Sequence, residues 1–236
     1  MGGDILLMST DYTAVMERLK EERTGRGISQ AELARQLRIT QGHYSKGEHA
    51  VKRFTYYEVK SLAETELDLY YIYTGLRMGG KYNGLFGQCS YGELVCYLNM
   101  TASLFACMYE EERLQMAQEL YSQLCCVRCI TGADRQDGTV FTHVRQHGKL
   151  TQCEIAERLG MDVKKYRELE RGSIMPDSEL IWKLYALYQV PPALVLEDSR
   201  GIVSQIEFFL DRARSGRNDI IHRYFRLLQA YYKSRE

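Results

Sequence analysis

Apolar side chains recur at helical spacing in two stretches of the chain, and the two stretches carry the same pattern. A shift of 122 residues lays 28–62 over 150–184 without a gap and with seven identities in thirty-five pairs. The identities are Gln30/Gln152, Glu32/Glu154, Ala34/Ala156, Leu37/Leu159, Tyr44/Tyr166, Glu48/Glu170 and Leu62/Leu184. Ser29/Thr151, Leu33/Ile155 and Val59/Ile181 are conservative pairs at capping or apolar positions, so the pattern reads as a duplicated unit. Ser29-Gln-Ala-Glu32 and Thr151-Gln-Cys-Glu154 both have the form of a capping box, in which a hydroxyl takes a free amide at a helix start and the glutamate reaches back. The helix opened by each box turns Leu33, Ala34 and Leu37, or Ile155, Ala156 and Leu159, inward. After a tight turn a new cap, Thr40 or Asp162, starts a second short helix with Tyr44 or Tyr166 on its inner face. The alanine suits a close helix crossing, and this is helix-turn-helix spacing. Thr55-Tyr-Tyr-Glu58, and Asp177 after Pro176, predict a further helix in each copy, while 12–24 and 140–146 predict the helix before each pair.

Between the copies, Ser90-Tyr-Gly-Glu93 caps a helix whose stripe is Leu94, Leu98, Thr101, Phe105 and Met108. Residues 110–130 continue through Leu114, Ala117, Tyr121, Leu124 and Val127. The tail repeats the arrangement, with Ile202, Ile206, Phe209 and Leu210, then Ile221, Tyr224, Phe225, Leu228 and Tyr231. The expected fold is therefore all-α: helix-turn-helix units at 11–74 and 138–198, each followed by a helical hairpin, at 88–132 and 200–236. If the hairpins pack on one another, Leu120, Leu124, Phe225 and Leu228 lie near a pseudo-twofold axis and one chain imitates a dimer. The opposing expectation is a flexible tandem joined through the polar stretch 131–139.

Composition changes this picture little. Lysine plus arginine and aspartate plus glutamate each total 31 in 236 residues, so no global field draws the molecule to nucleic acid. The attraction has to be local, and residues 12–56 hold nine basic against five acidic side chains. With 45 % hydrophobic and 26 % charged residues the chain can bury a core. The absence of a long apolar run or a basic leader leads to an expectation of a cytoplasmic protein with no membrane contact, whose seven cysteines stay as thiols. Cys126-Val-Arg-Cys129 with His143 and His147 has the spacing of a zinc site, but the aromatic and leucine core of such a finger is missing apart from Phe141, so no metal or other cofactor is expected. No nucleophile with a base, phosphate-cradling glycine loop or spaced carboxylate pair stands out, so the chain is not expected to be an enzyme.

The strings Ile28-Ser-Gln-Ala-Glu-Leu-Ala-Arg-Gln-Leu-Arg-Ile-Thr-Gln-Gly-His-Tyr-Ser-Lys-Gly-Glu48 and Leu150-Thr-Gln-Cys-Glu-Ile-Ala-Glu-Arg-Leu-Gly-Met-Asp-Val-Lys-Lys-Tyr-Arg-Glu-Leu-Glu-Arg-Gly172 resemble the Cro and lambda-repressor type helix-turn-helix proteins of bacteria and phages. The resemblance implies a sequence-specific regulator of transcription that binds double-stranded DNA. In that docking mode the second helix of the pair lies in the major groove, and the glutamine opening the preceding helix, here Gln30 or Gln152, binds a phosphate. Gln41 would then pair with an adenine edge, Lys46 or Lys164 with guanine, and Val163 with a thymine methyl, while Arg53 meets the backbone. His43, Lys165 and Arg167 complete the outward set. Some residues depart from the pattern. Arg38 replaces the turn glycine Gly160, Gly42 and Gly47 weaken the second helix of copy 1, and Gly47 stands where copy 2 has the core residue Leu169. Asp162, Glu168 and Glu170 read as repelling phosphate. The alternative is an interaction or effector-sensing protein, taking a small molecule or peptide or a second copy through its hairpins, whose units no longer read DNA.

Overall fold

A computed structural model describes residues 11–112, 118–132 and 138–212, with Ala230, and among them every regular element is a helix. The first unit contains α1 (Thr13–Gly25), α2 (Gln30–Gln36), α3 (Gln41–Glu48), α4 (Tyr56–Ala63) and α5 (Leu69–Thr74). A short α6 (Asn83–Phe86) leads to α7 (Tyr91–Glu112) and α8 (Gln118–Thr131). Five helices follow in the order of the first unit: α9 (Val140–His147), α10 (Gln152–Leu159), α11 (Val163–Glu170), α12 (Ser178–Tyr188) and α13 (Pro192–Leu196). The last described helix is α14 (Ser199–Arg212).

The caps set these boundaries. Thr55 and Thr151 close both halves of a capping box, as does Ser90, whose amide donates to the Glu93 carboxylate at 2.9 Å. Ser29 makes half of one, accepting from the Glu32 amide at 3.1 Å without a return bond among the described residues. Both turns between paired helices need left-handed backbone. Gly160 adopts it at φ 69°, and Arg38, at the same place in the first unit, adopts it at φ 57° despite its side chain. Gly47 has a packing reason: a Cβ there would stand 2.3 Å from Cζ of Phe54. Phe54 is fully buried and occupies the space that Leu169 fills in the second unit, where Pro176 takes the Phe54 position.

The hairpin expected at 88–132 is present, α7 and α8 packing side by side with Leu94, Leu98, Thr101, Phe105, Leu124 and Val127 buried. α14 lies along α7 and against α5, burying Ile202, Ile206, Phe209 and Leu210. The side chains of Met108, Leu114 and Ala117, and all of Ile221, Tyr224, Phe225, Leu228 and Tyr231, lie outside the described residues.

Within the described residues the two five-helix units meet through α4 and α5 on one side and α12 and α13 on the other, in addition to the packing of α14 on α7; Phe225 and Leu228 of the expected axis lie outside the described residues. The hydroxyl of Tyr73 donates to the carbonyl of Ser178 at 3.4 Å, and that of Tyr56 to the carbonyl of Val195 at 3.3 Å. Adding 122 to 56 gives 178, and adding it to 73 gives 195, so the two residue pairs exchange under the repeat shift, although both hydroxyl donors belong to the first unit. The contact therefore joins the same positions of the two units, as in an isologous contact, without repeating the individual bonds. Ser178, fully buried, also pairs with Phe54 through both backbone directions: its amide donates to the Phe54 carbonyl at 2.9 Å and its Oγ accepts from the Phe54 amide at 3.0 Å. The Tyr12 hydroxyl lies 2.5 Å from the same Oγ. Lys60 pairs with Glu197 at 2.6 Å and Arg200 donates to the carbonyls of Ala63 and Thr65, closing the rim. Buried side chains of both units belong to one continuous apolar cluster.

Candidate nucleic-acid interface

The outer faces of α3 and α11 rest on a polar bracket that is the same in both units. In the first, Arg23 reaches from α1 to Glu48 at the end of α3, its Nε and Nη2 donating to the two carboxylate oxygens at 2.7 and 3.1 Å. Its remaining nitrogen donates to the Ile28 carbonyl at 2.7 Å, Gln30 donates to Glu48 at 2.6 Å, and the Tyr44 hydroxyl does so at 3.0 Å. In the second unit Arg145 donates to Glu170 at 2.6 Å and to the Leu150 carbonyl at 3.4 Å, Gln152 donates to Glu170 at 2.6 Å, and Tyr166 lies 3.3 Å from it. Every member is displaced by 122 from its counterpart.

Burial works against the charged form of Glu48, but the hydrogen bonds from Arg23, Gln30 and Tyr44 outweigh it and hold the carboxyl below its ordinary pKa of 4.5. Burial and the adjacent carboxylate push the hydroxyls of Tyr44 and Tyr166 upward, so both remain neutral donors. The bracket therefore ties the first, second and third helices of each unit into one rigid support, and its charges are internally balanced.

Several of the candidate residues take part in contacts within the fold. Gln30 and Gln152 each commit one amide hydrogen to the bracket, which leaves the second hydrogen of each Nε2 for another acceptor. Glu170 is paired with Arg145, and Asp162 caps α11 by accepting the Lys164 amide at 2.7 Å. Arg53 is paired with Glu179 of the second unit and belongs to the contact between units. His43 is half-buried, its ring parallel to Phe54 with centroids 6.5 Å apart and its Nε2 3.5 Å from Glu58, so it faces inward. Val163 is half-buried against the core.

Gln41 and Lys46 on α3, and Lys164, Lys165 and Arg167 on α11, are exposed. Of the nine basic residues in 12–56, Arg18, Arg23, Arg26 and Arg53 are held by carbonyls or carboxylates within the fold. Lys20, Arg35, Arg38, Lys46 and Lys52 remain on the exposed surface. The functional residues that the sequence pattern did not single out are Arg23 and Arg145. Identical arginines 25 residues before identical glutamates in both copies were the available signal.

No group of three or more histidine, cysteine or acidic residues among the described residues is placed to hold a metal ion. Burial pushes the Cys126 thiol up to about 12, and the Cys129 sulfur lies 3.7 Å from the His143 carbonyl. No helix among the described residues is long and apolar enough to cross a membrane.

Residues 143–195, from within α9 to within α13, match the family model HTH_3, described as helix-turn-helix. Within this match α10 and α11 form the helix pair. No curated protein and no solved structure matches the chain.

Proposed function

We propose that the chain is a sequence-specific regulator of transcription that presents two reading helices, α3 and α11, to duplex DNA. The observation that carries this reading is the recurrence under α3 of the bracket that supports α11 inside the matched helix-turn-helix domain. A rigid support of this kind keeps a reading helix at fixed height and tilt in the major groove, while exposed lysines and arginines neutralise backbone phosphates. The contact of α4 and α5 with α12 and α13 supports a fixed arrangement of the two units. Gln41-Gly-His and Val163-Lys-Lys differ, so the two half-sites differ in sequence. Pairing of Glu170 with Arg145 weakens one objection to DNA reading by the second unit.

A gel-shift titration of the full chain, using duplexes from the DNA flanking its own gene, tests the proposal. Binding is expected to weaken with salt at a slope of about −0.9 per phosphate contacted. Lys164→Ala with Lys165→Ala is expected to lower both affinity and slope. No binding to any duplex at ~50 mM salt would replace this reading with that of an interaction protein.

A further inference from the structure

In the second unit the bracket extends one member further than in the first. Gln152 donates through Nε2 to Glu170 at 2.6 Å and accepts through Oε1 from Nε of Arg167 at 3.0 Å. A relay Arg145, Glu170, Gln152, Arg167 thus runs from the helix-packing interior to the exposed face of α11. The repeat places Ser45 at the position of Arg167, and among the described residues Gln30 holds nothing on α3 beyond Glu48.

A guanidinium held by Nε keeps its terminal N–H groups free, with the plane of the fork set by the relay. Arg167 lies three residues after Lys164, on the same face of α11. A fixed fork also suits a phosphate, but Lys164 and Lys165 are at hand on the same helix for backbone neutralisation. Bidentate pairing with the O6 and N7 atoms of guanine does need a fixed plane, and fixing it beforehand removes rotamer entropy from the cost of binding.

We infer that Arg167 is the specificity-determining residue of the second unit, reading a guanine in the major groove, with Gln152 and Glu170 as its positioning residues. The inference rests on the DNA-reading proposal above. It makes the units unequal readers: the half-site under α11 requires a G·C pair that the half-site under α3 does not.

The experiment is selection of preferred duplexes from a randomised library by the full chain, repeated with variants. Failure of the wild type to enrich any sequence would sink the DNA-reading proposal itself, and this inference with it. Given enrichment, Arg167→Ala is expected to lose roughly tenfold to a hundredfold discrimination at one G·C pair while other positions keep theirs. Gln152→Ala should relax the same pair by a smaller factor, and Arg167→Lys should not restore it. Ser45→Arg should create a new G·C preference in the other half-site by giving Gln30 a guanidinium to hold. If Arg167→Ala instead weakens all sequences alike and lowers the salt slope by about one, the residue holds phosphate and the inference is wrong. If Gln152→Ala lowers only the melting temperature, its positioning role is wrong.

Discussion

At the scale of single residues, Glu48 shows how far pairing governs the meaning of a charge. Its side chain is fully buried, and it stays ionised because Arg23, Gln30 and Tyr44 all donate to it. Removing the carboxylate leaves Arg23 buried without its partner, so Glu48→Ala should cost ~3–5 kcal/mol in urea unfolding at neutral pH. The pH dependence follows from the depressed pKa. Stabilisation by Glu48 is fully present above the ordinary 4.5 of the unfolded carboxyl and is lost as pH falls through the lower folded value. The gap between wild type and Glu48→Ala should therefore narrow on acidification, and a constant gap down to the lowest pH at which the protein folds would contradict the assignment. The pairing of Glu170 escapes the sequence for the same reason: a string of residues displays the charge but not the arginine that faces it.

Among elements, α3 and α11 reach the same packing by different residues. Gly47 with Phe54 in the first unit does the work of Leu169 with Pro176 in the second. Gly47→Leu should therefore destabilise by about 1–3 kcal/mol through overpacking against the Phe54 ring. Combined with Phe54→Ala it should cost less than the sum of the two single changes, because the leucine fills the vacated space. Denaturant titration of the four proteins measures that coupling, and strict additivity would show that the two sites do not share a volume. The compensation was hidden in the sequence, where Gly47 reads only as a weak helix position, because Phe54 lies in a loop with no periodicity to point its ring inward. The first four helices of each unit were readable from caps and apolar spacing. α5 and α13 were not, since six and five residues of nearly continuous apolar sequence cannot distinguish a helix from other buried segments. The exposure of the α11 lysines was legible from helical spacing, whereas the pairing of Arg53 and His43 was not, because their partners Glu179 and Glu58 lie outside the two paired helices.

At the scale of the whole molecule, the contact between units should make unfolding a single event. Trp182, the sequence's one tryptophan, sits on α12 with its ring 6.2 Å from that of Tyr12 in the first unit, so its fluorescence reports on the junction. Its thermal transition should coincide with loss of helical circular dichroism, and a separate, earlier fluorescence change would mean that the units come apart before they melt. The contact made by Tyr56 and Tyr73 has a further consequence for a cell. Two separate copies joined by such a contact fall apart on dilution, so their occupancy of a target rises with the square of their abundance at low dose. Here the halves share one backbone, so occupancy should be first order in the chain down to a few molecules. Because Ser45 and Arg167 differ, a complex of the proposed kind would also have a direction along the duplex: inverting the target would place the same two units in the opposite order relative to any neighbouring gene.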